Sequence, residues 1–280
     1  MKEFIFVVEQ RFNDVKPLIF LSEKGVSDEI IKKVKFGGIF VNGTVLKNAN
    51  VRLCFGDEVK IVLPSDKPNP YILPIKAPLD VIYEDQYLLA VNKPKGTLTH
   101  SSKHNQTVSL EQVVCGYFSP HPFTFRVVNR LDKDTSGIVL IAKDAYTASL
   151  LGEQIKNCEI QKTYSALVVG KPPSEQFIIE TPIKRLNPNS MKRTCAKDGK
   201  PAKSECSLVK SLNDGKSRIE VRLHTGRTHQ IRVHLSSVGL PLFADSLYGE
   251  KVEGQTYSLH AKELKFTHPI TKKEMVIKAE

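Results

Sequence analysis

Arg130-Leu131-Asp132-Lys133-Asp134-Thr135-Ser136-Gly137 sets a guanidinium and a carboxylate in a turn between two apolar runs. Before it, Phe125-Arg126-Val127-Val128 reads as the end of a strand. After it, Ile138-Val139-Leu140-Ile141-Ala142 reads as a buried strand, and Asp-Thr-Ser-Gly is turn chemistry. An acid in such a connection either shapes the turn by accepting nearby backbone N–H groups or is a reactive group held where an enzyme can use it. Composition does not decide between the two, so the rest of the chain has to.

Several further segments weigh on that choice. Upstream stand Asp80-Val81-Ile82-Tyr83-Glu84-Asp85 and Leu88-Leu89-Ala90-Val91-Asn92-Lys93-Pro94-Lys95-Gly96. Downstream come Gln161-Lys162-Thr163-Tyr164-Ser165-Ala166-Leu167-Val168-Val169-Gly170 and Leu223-His224-Thr225-Gly226-Arg227-Thr228-His229-Gln230-Ile231-Arg232-Val233-His234. Two shorter pieces follow, Asp245-Ser246-Leu247-Tyr248-Gly249 and Leu259-His260-Ala261-Lys262-Glu263-Leu264-Lys265-Phe266-Thr267-His268-Pro269. In this order they resemble the RluA/RluD-type pseudouridine synthases, whose signature is His-Arg-Leu-Asp-x-x-Thr-Ser-Gly. Asn129 stands here where the commonest family pattern has His, a position that is not the family's nucleophile.

The 280 residues hold room for a large core plus a small accessory domain, and 40% hydrophobic with 25% charged residues is a soluble, globular composition. No run approaches the roughly 20 apolar residues of a membrane span, and residues 1–9 are too short and too acidic for a secretory signal. A cytoplasmic protein without a membrane partner is expected. Cys54, Cys115, Cys158, Cys195 and Cys206 are odd in number, scattered and without a Cys-x-x-Cys pair, so neither a disulfide framework nor a zinc site is indicated. A net charge of +11 favours a polyanionic partner. Residues 1–65 carry ten Lys/Arg against eight Asp/Glu, a net of +2, which leaves +9 for residues 66–280.

Residues 1–65 have an organisation of their own. Ser27 caps a short helix with Asp28 and Glu29 in its first turn, Ile30, Ile31 and Val34 on its apolar face, and Gly37-Gly38 at its end. Residues 39–45 read as a hairpin turning at Asn42-Gly43, and residues 56–62 as a closing turn and strand. The pattern resembles the small α/β RNA-binding module first known from ribosomal protein S4. The opening stretch Gln10 to Pro17 departs from that module's usual start, and Pro17 limits a helix there. The resemblance implies RNA contacts by Arg11, Lys32, Lys33 and Lys35, although a lysine run also serves as a solvated helix face.

Pro64, Pro68, Pro70, Pro74 and Pro78 make residues 64–78 extended, with residues 66–78 as the linker between domains. Beyond it, residues 79–280 form the expected catalytic domain. Lys162 to Val169 and Arg218 to Leu223 alternate as half-buried strands, and the clearest helices run from Ala145 to about Asn157 and from Thr228 to about Val238. The latter buries Ile231, Leu235 and Val238. The expected class is α+β: a mixed, largely antiparallel central sheet with flanking helices, as in the pseudouridine synthase fold, preceded by the small S4-like domain.

The chemistry of uridine isomerisation needs a carboxylate and no cofactor: the N-glycosidic bond breaks, the uracil turns, and carbon rejoins the sugar. The resemblance assigns that carboxylate to Asp132, with Asp134 left to serve the turn. Desolvation can raise a carboxylate pKa by up to ~3–5 units and an adjacent Arg can lower it by ~1–3, so a guanidinium partner is expected. The resemblance places it at Arg227 and puts Arg130 beside the substrate RNA. It makes Tyr164 the aromatic that packs against the uracil and Leu264 an apolar pocket wall. The substrate it implies is large-subunit ribosomal RNA, with transfer RNA as the substrate of some relatives. His229 and His234 are five apart and share no helix face as an i, i+4 pair does, so no metal is expected. A monomer is the default. The rival function is a non-catalytic RNA-binding or ribosome-assembly protein, and a further one is an Asp-dependent nucleoside or glycoside hydrolase, disfavoured because no second placed carboxylate suggests itself.

Overall fold

The computed structural model describes residues 2–67, 69–101 and 107–280, so Pro68 of the proline-rich stretch lies outside the described residues. The chain opens with an antiparallel sheet of β1 (Glu3–Val7), β2 (Ile39–Val41), β3 (Thr44–Val45) and β4 (Glu58–Val62), ordered β1-β4-β2-β3. Asn42 and Gly43 turn the β2–β3 hairpin with φ of 48° and 76°, the left-handed pair that a two-residue hairpin of matching twist needs. Helices α1 (Pro17–Glu23) and α2 (Asp28–Val34) cover the sheet. Their Phe20, Leu21, Ile30 and Val34 close a core with Phe4, Val8, Val59 and Ile61.

Two local expectations change here. Pro17 does not limit the helix but begins it, because at the first helical position its missing N–H has no partner to lose. Ser27 does stand at the N-cap of α2, yet its side chain makes no capping hydrogen bond.

The larger body is a ten-stranded sheet. In chain order its strands are β5 (Val81–Glu84), β6 (Leu88–Lys93), β7 (Arg126–Val127), β8 (Ser136–Ala142), β9 (Gln161–Val169) and β10 (Gln176–Glu180), followed by β13 (Lys203–Ser211), β14 (Lys216–Leu223), β15 (Leu259–Thr267) and β16 (Glu274–Lys278). β11 (Ile183–Arg185) and β12 (Arg193–Cys195) form a separate two-stranded ribbon between β10 and β13. The main path runs β10-β13-β14-β9-β15-β8-β6-β5, with β16 beside β15 and β7 beside β8. Among the described residues its strand pairings are antiparallel apart from β15 with β8, the mixed, largely antiparallel sheet expected.

β6 and β8 are buried on both faces, and alternation divides them cleanly. Leu89, Val91, Val139 and Ile141 face one layer, closed by Leu110 and Val114 of α3 (Leu110–Phe118) and by Ile231 and Leu235 of α5 (Gln230–Ser237). Leu88, Ala90, Ile138 and Leu140 face the other, closed by Leu151 of α4 (Ala145–Lys156). Truncating one such Leu or Ile to Ala costs ~2–5 kcal/mol. Helix α5 starts at Gln230, two residues later than the apolar spacing suggests, and Val238 falls just past its end, 44% exposed rather than buried.

The two bodies are joined by contact as well as by chain. Tyr146 of α4 is buried in the N-terminal core, where its hydroxyl donates to Lys24 O at 2.7 Å, and Ser149 Oγ donates to Gly25 O at 3.1 Å. Among its described residues the proline-rich stretch carries no helix or strand, yet it is anchored: Asp66 takes Arg126 at 2.6 and 3.0 Å and also the Thr124 N–H.

Candidate active site

The loop from Val128 to Thr135 connects β7 to β8, and it is tied down at four points through backbone and side-chain groups. Asn129 is 7% exposed; its amide donates to Ile138 O at 2.8 Å and its carbonyl accepts from Leu140 N at 2.9 Å. Thr99 Oγ1 donates to Leu131 O at 2.8 Å. Lys93, fully buried at the end of β6, donates to the carbonyls of Pro94, Thr97 and Lys133 at 3.0, 2.7 and 3.0 Å. Thr135 Oγ1 meets the Tyr257 hydroxyl at 3.3 Å. Gly137, the second residue of β8, has φ 107°, and a Cβ there would sit 2.3 Å from Ala261 O, so only glycine lets β8 and β15 approach.

This frame presents Asp132, whose side chain keeps 31% of its surface exposed. Its Oδ2 lies 3.4 Å from Nη1 of Arg232 and 3.8 Å from Nε2 of His229, the second beyond hydrogen-bond reach. Burial lowers the His229 pKa, and the Arg232 and Arg193 charges push the same way against Asp132. His229 is therefore neutral near pH 7, with Nδ1 paired to the Tyr248 hydroxyl at 2.9 Å. The Arg232 side chain is 9% exposed; its guanidinium carbon lies over the Tyr257 ring at 4.3 Å from the centroid and over that of Tyr248 at 5.1 Å. Burial acts to lower its pKa, but the hydrogen bonds to Asp245 together with the influence of Tyr257 and the charges of Asp245 and Asp132 outweigh this and keep it charged. Lys93 is pushed down to about 8 by burial, opposed by the charges of Asp134 and Asp132.

The guanidinium partner expected at Arg227 is thus found at Arg232. Arg227 precedes α5, is exposed, and donates Nε to Pro201 O at 2.9 Å. Arg232 sits inside the helix beside Ile231 and Leu235, so the helix that buries those two aims it into the site. Arg130, next to Asp132 in the chain, is exposed and without an ion-pair partner among the described residues. Tyr164 lies in the same layer as Leu131, 6% exposed. Burial, with the Asp132 charge behind it, raises its hydroxyl pKa.

Leu264 does not join them. It is 2% exposed in the opposite layer with Leu140, Leu151, Phe266 and Ile277. The ladder of β15 with β9 is interrupted between Ala261 and Glu263, and past that irregularity Leu264 packs in the layer opposite to the one Ala261 shares with Tyr164. His234 is likewise remote in role, its two nitrogens engaged by Ser204 Oγ and Thr181 O at 2.9 Å each.

On the N-terminal body, Arg11, Lys32, Lys33 and Lys35 are all exposed. Arg11 pairs with Glu9 at 3.0 Å and Lys33 with Glu29 at 2.6 Å, while Lys35 lies over the 86%-exposed ring of Phe36.

Residues that sequence reasoning left without a role complete the site. The β11–β12 ribbon leans over His229, and a cavity of about 290 Å³ between them is lined by Arg185, Met191, Arg193 and Thr228. A larger cavity of about 460 Å³ lies between the proline-rich stretch and α3, walled by Ile72, Pro74, Cys115 and Phe123, and holds neither Asp132 nor Arg232. The signal for Arg232 was the i, i+3 spacing to Leu235, which makes an arginine on a burying helix face demand a carboxylate. No sequence signal marked Asp245 as its partner.

Comparison with known proteins adds an independent line. Residues 87–237 match the family model described as RNA pseudouridylate synthase. A relative from Bacillus subtilis (strain 168), named "Uncharacterized RNA pseudouridine synthase YjbO", is 33% identical over 91% of this chain and 92% of its own length. "Ribosomal large subunit pseudouridine synthase D" of Zymomonas mobilis is 36% identical over 81% of this chain and 75% of its own. The solved structure titled "Human RNA Pseudouridylate Synthase Domain Containing 1" superposes with a TM-score of 0.60 at 25% identity, covering 72% of this chain and 83% of that one.

Proposed function

The chain belongs to the RNA pseudouridine synthase family and is an enzyme that isomerises uridine in RNA; from that premise we propose that Asp132 is its catalytic carboxylate, that Arg232 is the guanidinium that orients it, and that its substrate is large-subunit ribosomal RNA. The observation that carries the assignment is the single polar side chain of the tied loop that combines an open face with a buried cationic partner: Asp132 is 31% exposed while Arg232 behind it is 9% exposed. A carboxylate so held is aimed without being sealed, as a nucleophile or base toward an everted nucleotide must be.

The other roles follow from position. Everting the base costs a few kcal/mol, and stacking on an aromatic face returns ~1–3 kcal/mol per base. Tyr164 supplies that face as a neutral phenol, since its raised pKa keeps the hydroxyl protonated at neutral pH. Arg130, Arg185 and Arg193 stand exposed or line the neighbouring cavity and meet RNA phosphates. Residues 1–65, with their own sheet and core, act as an S4-like RNA-binding module through Arg11, Lys32, Lys33 and Lys35. Residues 66–78 link it to the catalytic domain of residues 79–280. The protein works in the cytoplasm as a monomer. Hydrolysis is disfavoured because the second carboxylate near the site, Asp245, has no exposed surface and is locked onto Arg232, so it cannot activate water.

The test is incubation of the protein with 5-tritiated uridine in ribosomal and transfer RNA. Tritium release from ribosomal RNA without free uracil is expected. Release only from transfer RNA would overturn the substrate assignment, and free uracil would overturn isomerisation at this site.

A further inference from the structure

Lys2, just ahead of β1, crosses to the catalytic domain: its Nζ donates to Asp144 Oδ2 at 3.0 Å and to Gln86 O at 2.7 Å, and it lies over the Tyr87 ring. Asp144 is 4% exposed and also caps α4, accepting Thr147 N at 2.7 Å, so one carboxylate both starts that helix and receives the beginning of the chain. Two residues on, the buried Tyr146 ring stands edge-on to Phe4 at 4.7 Å and to Phe6 at 5.8 Å between centroids, while its hydroxyl reaches Lys24 O where α1 ends. A Cβ on Gly25 would lie 2.5 Å from Leu150 Cδ2, a measure of how closely α4 passes.

The receiving surface is braced from behind by two residues that the reaction leaves unused. His268 Nδ1 accepts the N–H groups of Ile270 and Thr271 at 3.2 and 3.0 Å, so Nε2 carries the proton and donates it to Asp85 Oδ2 at 2.8 Å. Asp85 Oδ1 in turn accepts Tyr87 N and Leu88 N at 2.7 and 2.6 Å. Tyr87 and Ile270, held in this way, pack with Ala145 and Leu150 against the N-terminal core.

The contacts leave the N-terminal body at three separate places: ahead of β1, at the end of α1, and after β4, where Asp66 takes Arg126. A body held by its linker alone would pivot about it. Domains of one chain move against each other by default unless the interface between them is substantially apolar. This one has a shared aromatic core, so the N-terminal body cannot swing without exposing Tyr146. Two binding surfaces at a fixed separation accept only an RNA whose contact point and target uridine match that separation, whereas surfaces joined by a flexible chain accept a range. Fixed placement also removes the cost of ordering one body against the other when RNA binds.

We propose that Lys2 and Tyr146 are specificity-determining residues: by docking the N-terminal body rigidly on α4 they fix the distance from its RNA contact to Asp132, and that distance selects the uridine. This rests on the reading of residues 1–65 as an RNA-binding module and of Asp132 as the catalytic carboxylate.

The experiment compares the wild type with an uncoupled variant, Lys2→Ser with Tyr146→Ser, and with a variant carrying a Gly/Ser insertion between Pro64 and Ser65, both exposed. Each is assayed for affinity and sites of pseudouridine on ribosomal RNA, for tritium release from a short uridine hairpin, and by calorimetry. The uncoupled variant should keep its rate on the hairpin within about threefold, lose about tenfold in affinity for the long RNA, and modify uridines beyond the wild-type site. Its melt should divide into two transitions where the wild type has one. The insertion, in a surface connection, should leave affinity within about twofold and the modified site unmoved, because docking rather than chain length sets the placement. Wild-type affinity and site selection in the uncoupled variant, or a moved site in the insertion variant, overturns the proposal. Should the uncoupled variant fail to fold, the insertion variant decides it. Replacing Arg11, Lys32, Lys33 and Lys35 by Ala separates the two levels. Weaker binding there, beside wild-type behaviour of the uncoupled variant, sinks only this inference, whereas wild-type binding and salt dependence there sink the RNA-binding reading beneath it.

Discussion

Around Asp132, the partner guanidinium is 9% exposed, bonded on two sides and faced by two tyrosine rings, and the loop backbone is tied through Lys93, Thr99 and Asn129. On residues 11–35, by contrast, Arg11 and Lys33 pair with glutamates in solvent, and the side chain of Arg11 is 73% exposed. Exposed pairs of that kind contribute 0 to ~1 kcal/mol and exchange readily for phosphate. The difference separates two uses of charge: chemistry needs a carboxylate with a fixed direction, while attraction of a polyanion needs only charge on a surface.

The sharpest way to break that contrast is to exchange a fixed arginine for a loose one. Arg232→Met should lower kcat about 100-fold, as loss of a preorganised charge contact does. It should also destabilise the fold by ~3–5 kcal/mol, because Asp245 is left buried and unpaired. Arg227→Met, on an exposed side chain, should leave kcat within about twofold under the same contrast between exposed and buried contacts. Equal losses for the two, by tritium release and thermal melting, would erase the distinction.

A smaller effect is expected from pH. Lys93 has a folded pKa lowered to about 8 from 10.5, so between those values the unfolded chain binds the proton that the folded chain has lost. Through this group, stability rises with pH across that window and does not fall. The neutral amine, however, can donate to only two of the three carbonyls it now holds. Activity should therefore decline as pH passes about 8 while the melting temperature shows no matching loss from this residue. A parallel fall of both, in a kcat profile and a melting series from pH 7 to about 10, would contradict the role of Lys93 as a tie on the loop.

The smallest effect belongs to the exposed face. Replacing Arg11, Lys32, Lys33 and Lys35 by Ala should leave kcat unchanged and flatten the salt dependence of RNA binding, by about one unit of log–log slope per lost phosphate contact. An unchanged slope would remove this face from the RNA interface.

What could be read in the sequence was mostly periodic or local. The β8 run Ile138–Ala142, the alternating β9 and the Asn42-Gly43 turn are written in residue type, and the sheet follows them. Ser109 and Gln112 form a full capping box at the start of α3, a spacing present in the chain and passed over. Asp132 stood out as a candidate because its neighbours spell a motif. Its partner was mistaken because two arginines share one segment, and only the start of α5 at Gln230 tells the one on the helix from the one before it. Leu264 was misplaced because the irregularity in β15 between Ala261 and Glu263 is not written in residue type. Asp245 stood in a segment that carried the resemblance, but its pairing could not be read: it sits 13 residues downstream of Arg232 in a turn, and such pairings are made by tertiary structure.

The most direct test of the central claim is Asp132→Asn, assayed by single-turnover tritium release alongside RNA affinity. The account predicts no release above background with affinity within about threefold of wild type, because the amide keeps the shape and loses the nucleophile and base. Release at a rate near wild type would contradict it.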